Sequence, residues 1–179
     1  MKEYLEKIIL SSIEELFTKD HVLLSNNVSE RAITHKLAEY LQKRIPEYHV
    51  DCEYNRNYVL GANRPKSIFI VKARSIAEIK KKYKNSTKVL MEQEEYLAEV
   101  TSYPDIIVHR RLTNKKNLLI IEVKKSNTPI AYEYDFMKLK AFTSLDQGYK
   151  FQFGVFINFN IDEPYNPPEI KWFAEGHEI

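Results

Sequence analysis

The run Asn117-Leu118-Leu119-Ile120-Ile121-Glu122-Val123-Lys124 constrains the fold of this chain more than any other segment. A stretch so nearly apolar reads as a strand covered on both faces, and therefore central in its sheet. Ahead of it lie Asp105-Ile106-Ile107-Val108-His109 and a polar turn, Thr113-Asn114-Lys115-Lys116, so the two runs predict a hairpin. Residues two apart in a strand share a face, which places Leu118, Ile120, Glu122 and Lys124 on one side and Leu119, Ile121 and Val123 on the other. A carboxylate and an ammonium thus end a core strand as neighbours.

Elements around this hairpin follow from periodicity. Residues 4 to 17 carry Tyr4, Leu5, Ile8, Ile9, Ser12, Ile13 and Leu16 at helical spacing. A second helix is expected over about 30 to 45, capped from Asn26 to Ser29, with Ile33, Leu37, Leu41 and Ile45 every fourth residue until Pro46. Glu30 lies three before Ile33 and seven before Leu37, so it projects from the first turn on the side of the apolar stripe. For an exposed Glu, the helix dipole alone would be reason enough. His49 to Tyr54 alternates like a strand, and Asn55 to Asn63 reads as turn. Between about 56 and 97 the pattern is least legible, with a short strand at Ile68 to Val71 and a basic helix at Ser75 to Tyr83. Tyr134 to Leu145 reads as a helix through Met137, Leu139, Ala141, Phe142 and Leu145, with Gly148 near its end. Phe151 to Phe159 and Ile170 to Phe173 read as closing strands.

With 179 residues, 44% of them hydrophobic, the chain can bury one core, and one domain over 1–179 is expected. Residues 1–28 form its N-terminal helical extension and about 56–97 a basic insertion. From Arg64 to Lys88 nine Lys or Arg face the single acid Glu78, so this segment carries +8 and the rest −6 of a net +2. That asymmetry is suited to a polyanion, although a solvated loop and helix face would look the same. Charged residues interrupt the N-terminal apolar positions, so neither a signal peptide nor a membrane span is expected. Cys52 is the only cysteine, which fits a reducing, cytoplasmic compartment.

Glu122 and Lys124 at the mouth of a buried strand cost desolvation unless they pair with each other, a metal or a substrate. A lone Glu-x-Lys is most often structural. Here Pro104-Asp105 opens the preceding strand, and the 17 positions from Asp105 to Glu122 let a hairpin bring both acids to one edge. Two carboxylates about 4 to 5 Å apart across a sheet repel unless a cation lies between them. Magnesium accepts one or two carboxylates plus waters and phosphate oxygens. The lysine then stabilises charge on phosphorus or helps position and deprotonate a water.

Through Pro104-Asp105 followed by Glu122-Val123-Lys124, the sequence resembles the PD-(D/E)xK nuclease superfamily. Glu30 resembles the acid that many members carry on a helix before the sheet, and Asp135 to Lys138 the polar positions of the following helix. The resemblance implies an α/β fold, a restriction-endonuclease-like mixed central sheet flanked by helices. The implied order is helix, three antiparallel-leaning strands, helix, strand, over about residues 29 to 159. It further implies Asp105, Glu122 and Lys124 as catalytic residues. Mg2+ or Mn2+ would be held by Asp105, Glu122, the Val123 carbonyl and Glu30, with Lys125, Lys138 and His109 near substrate phosphate. The implied function is metal-dependent hydrolysis of DNA phosphodiesters by an endonuclease, with a homodimer to reach both strands of a duplex.

Other readings compete residue by residue. His109 shares the face of Asp105, but a histidine bonded within the sheet is the commoner case. Asp51 or Glu53 could enter the site or lie on a solvated face. Tyr132 and Tyr134 could stack on bases, although packing is their usual work. His35, His49 and Cys52 do not make a zinc spacing. A non-cleaving nucleic-acid-binding or protein-interaction module on the same fold is the alternative function. A third reading makes Glu122 and Lys124 a structural ion pair in an unrelated α/β domain.

Overall fold

In the computed structural model, residues 1–26, 28–59, 62–71, 86–92, 95–125, 132–160 and 166–179 are described. The apolar run forms β8 (Asn117–Lys125), whose residues are buried from Asn117 to Val123. On one side it pairs antiparallel with β7 (Ile106–His109), and on the other it pairs parallel with β9 (Phe153–Phe159). With β1 (His49–Cys52), β10 (Glu169–Ala174) and β11 (His177–Glu178) they make a six-stranded mixed sheet in the order β1-β7-β8-β9-β10-β11. Parallel neighbours need a crossover, and α3 (Glu133–Thr143) supplies it between β8 and β9.

Helices cover both faces. α1 (Lys2–Ser25) and α2 (Glu30–Arg44) bring Leu5, Ile9, Leu16, Ile33, Leu37 and Leu41 against Ile106, Val108, Ile121, Val123, Val155 and Ile157. Across the sheet, Leu139 and Phe142 of α3 pack on Ile107, Ile120, Phe156 and Phe173. Gly154 allows this close approach: a Cβ there would lie 3.2 Å from Thr143 Cγ2 and 3.3 Å from Leu139 Cβ. Arg44 ties the first two helices together, 2.7 Å from Glu15 and 3.2 Å from the Ser11 carbonyl. Tyr40 donates to Asp20, where α1 departs from helical geometry. The predicted extension is therefore packed into the core.

Four expectations need correction. Leu118 does not share the face of Ile120. The register slips between Val108 and His109, a bulge that turns Leu118 into the same cluster as Leu119. Leu145 lies beyond the end of α3 and is 58% exposed, and Tyr4 is 52% exposed. Asn55 to Asn63 is not simply turn, because β2 (Arg56–Val59) and β3 (Ala62–Pro65) pair antiparallel. Beyond this hairpin, β4 (Ser67–Val71), β5 (Ser86–Glu92) and β6 (Glu95–Thr101) form a three-stranded sheet in the order β4-β6-β5. The helix predicted at Ser75 to Tyr83 lies outside the described residues.

The elaboration is rooted in the core by a few contacts. Ile68 and Val100 join the cluster around Ile107 and Ile120. The Tyr149 hydroxyl accepts from Ser67 N at 2.8 Å and donates to the Ser67 carbonyl at 2.7 Å. Lys66 is buried, with its ammonium donating to the carbonyls of Tyr54 and Arg56 and lying 4.5 Å from the Tyr54 ring centroid. No helix among the described residues is long and apolar enough to cross a membrane.

Candidate functional site

Asp105 stands one residue before β7, and Ile106 is opposite Ile121, so the end of β7 leaves the next stretch of β8 without a strand partner on that side. The Asp105 carboxylate takes over there, with Oδ2 accepting from Val123 N at 2.7 Å. A residue's N–H and C=O leave an antiparallel strand on the same side, so the Val123 carbonyl also lies toward Asp105. The hairpin thus brings Asp105 and the Glu122–Lys124 segment to one edge, as the spacing predicted.

Glu122 points to the α3 side and is wholly buried. Its Oε2 accepts from Lys138 Nζ, and Lys138 is held in turn by Asp135 Oδ1 at 2.9 Å. Asp135 Oδ2 lies 3.5 Å from Lys124 Nζ, which is also 3.2 Å from Glu30 Oε1. Glu30 reaches across from the first turn of α2, and its Oε2 accepts from the Lys125 amide at 3.1 Å. Lys125 Nζ donates to the Val28 carbonyl at 2.9 Å. Two faces of the sheet thereby converge on the last residues of β8.

Acids outnumber cations here. Asp105, Glu122 and Asp135 share the ammonium groups of Lys124 and Lys138. Burial pushes the Glu122 carboxyl up to about 8, with the charges of Asp105 and Asp135 adding to the effect and Lys138 opposing it. Burial also raises Asp105, partly offset by the Val123 amide. For both lysines burial works the other way and is outweighed. Asp135 and Glu30 keep Lys124 above its ordinary range, and Glu122 and Asp135 do the same for Lys138. Glu122 Oε1 is buried and finds no hydrogen-bond partner among the described residues, a costly state for a carboxylate oxygen.

A pocket of about 430 Å³ opens beside these groups, lined by Glu30, Arg31, Thr34, His35, Cys52, Glu53 and Asp105. Arg31 pairs with Glu53 at 2.9 Å. The pocket reaches Asp105 and Glu30, while Glu122 lies covered. Among the described residues no three His, Cys, Asp or Glu side chains form a metal-holding group. Asp105, Glu122 and the Val123 carbonyl are oxygen donors of the kind a hard cation takes together with water.

Two of the residues expected near substrate sit elsewhere or do other work. His109 is at the far end of β7, buried, 2.9 Å from Asp51 and 4.8 Å between ring centroids from Tyr54. Asp51 is further claimed by Arg111, so it is the counter-ion of that cluster. Lys138 is a buried partner of Glu122 and does not face outward to a phosphate. Tyr132 packs on Phe156, and Tyr134 lies under Lys138, 5.4 Å from its Nζ. Sequence reasoning left out Arg31, Thr34, His35 and Cys52 as pocket residues, although Thr34 is one helical turn from Glu30 and was findable on that basis.

Fold and site together define an α/β protein with a mixed sheet covered by helices, and with a buried carboxylate–lysine cluster at the end of its central strand. No protein-family model matches the chain, and neither the curated proteins nor the solved structures give a match.

Proposed function

We propose that this chain is a magnesium- or manganese-dependent nuclease of the PD-(D/E)xK type that hydrolyses DNA phosphodiesters. The observation that carries the reading is Glu122 Oε1, a buried carboxylate oxygen without a partner, beside a second carboxylate with one oxygen already engaged. Such an arrangement is costly unless a cation or a proton completes it, and a cation brought by solvent would displace that proton. Support also comes from the order of the core elements, α2, β1, β7, β8, α3, β9, with β2 to β6 inserted after β1, the first three core strands antiparallel and the fourth parallel, since the resemblance implies the same core order.

Asp105, Glu122 and the Val123 carbonyl would hold the cation, with Glu30 at its margin. When bound, it would polarise a phosphate oxygen and lower the pKa of a water. Lys124, kept charged by Asp135 and Glu30, stabilises negative charge developing on the phosphoryl group and does not act as a base. Glu30 orients Lys124 from outside the sheet, and the pocket beside Asp105 admits substrate.

A second reading, a non-cleaving nucleic-acid-binding module, draws on the complete burial of Glu122 behind Lys138. Cleavage of linear, supercoiled and branched DNA with Mg2+ or Mn2+, by wild type beside Asp105→Ala and Lys124→Ala, separates the two. The nuclease reading expects metal-dependent cleavage that both substitutions reduce by about 100-fold or more. Undiminished cleavage in both would sink it. Salt-sensitive DNA binding without cleavage in wild type selects the module.

A further inference from the structure

The two oxygens of Glu122 are not equivalent. Oε2 is occupied by the ammonium of Lys138, which is itself fixed by Asp135 Oδ1 at 2.9 Å and overlies the Tyr134 ring. Oε1 is buried and unpartnered. In Asp105, Oδ2 is held by the Val123 amide at 2.7 Å. In a two-metal site the ions stand about 3.5 to 4 Å apart and clamp the attacking and leaving oxygens together. A second cation on Glu122 would need Oε2, where a protein cation already stands.

We propose that the Lys138 ammonium takes the place of a second metal ion, so that the site binds one divalent cation, which Asp105 and Glu122 would hold. The proposal rests on the nuclease reading for the first ion. Lys138 suits the role because its charge lies deep: the side chain is 9% exposed, against 27% for Lys124. Asp135 bridges the two ammonium groups, bound to Lys138 through Oδ1 and facing Lys124 through Oδ2. One lysine therefore neutralises the buried acid while the other remains at the open side of the site.

The test is the stoichiometry of Mn2+ binding to the whole chain, by calorimetry and by electron paramagnetic resonance. One ion per chain is expected for wild type. Lys138→Met, which keeps the bulk of the side chain and removes its charge, should bind two ions, with the spectrum of a spin-coupled pair. Circular dichroism confirms that the variant folds, and the wild-type count stands as a test if it does not. Two ions in wild type overturns the proposal while leaving the nuclease reading intact. So does a folded Lys138→Met that still binds one ion at unchanged affinity. No Mn2+ binding by wild type overturns both.

Discussion

At the scale of single residues, Lys66 and Glu122 show how one fold treats two buried charges. Lys66 is 2% exposed and has carbonyl acceptors but, among the described residues, no contacting carboxylate, and burial lowers the pKa of its ammonium from the usual 10.5 to about 8. A base whose folded pKa is depressed is protonated in the unfolded chain and neutral in the native one between those two values. Stability must then rise with pH across about 8 to 10.5 and be lost as pH falls through that window. The difference in unfolding free energy between wild type and Lys66→Met, measured in urea at pH 7.5, 9 and 10.3, should shift in favour of wild type as pH rises. A difference independent of pH would contradict the assignment. Glu122 and Lys124 were legible as neighbours from the two-residue period alone. The direct partner of Glu122 was not, because Lys138 comes from a helix 16 residues on and local spacing does not say what α3 faces.

At the scale of elements, α2 does two separable things. Its stripe of Ile33, Leu37 and Leu41 fills the core, while Glu30 in its first turn reaches Lys124 and the Lys125 amide. Leu37→Ala should cost about 2 to 5 kcal/mol of stability through the cavity it leaves, without removing the site. Glu30→Gln, altering a half-exposed pair, should cost no more than about 1 kcal/mol. Yet it should weaken Mn2+ binding or cleavage by about 10- to 100-fold, since it releases the orienter of Lys124. Denaturation curves and Mn2+ titrations on both variants check the split, and a Glu30→Gln protein with unchanged metal affinity and cleavage would show that Glu30 only ties α2 to the end of β8. Helices and central strands were read from period and apolar content. The β2–β3 hairpin was missed because Asn, Arg and Gly dominate Asn55 to Asn63 and mimic a loop, and the pairing partner is what makes those residues strand.

At the scale of the whole molecule, the site exists because two helical layers meet at one end of β8. Glu30 arrives from the layer of α1 and α2, and Asp135 and Lys138 arrive from α3 on the opposite face. α1 belongs to this architecture, since Leu5, Ile9, Ile13 and Leu16 are buried in the same cluster as Ile33 and Leu37. Removal of residues 1–28 should therefore abolish cooperative thermal unfolding and not merely lower the midpoint; a truncated chain with a sharp transition near that of wild type would make α1 dispensable.

The sequence by itself determined the central hairpin, the three principal helices, and the placing of Asp105, Glu122 and Lys124 at one strand end. Those follow from periods of two and 3.6 residues, which are local properties of the backbone. Tertiary structure decided the rest: the bulge that turned Leu118, the burial of Lys138 against Glu122, the pairing of His109 with Asp51, and the orphaned oxygen of Glu122. Each depends on which side chain a distant element brings into contact, and burial then multiplies the electrostatic consequence of that contact.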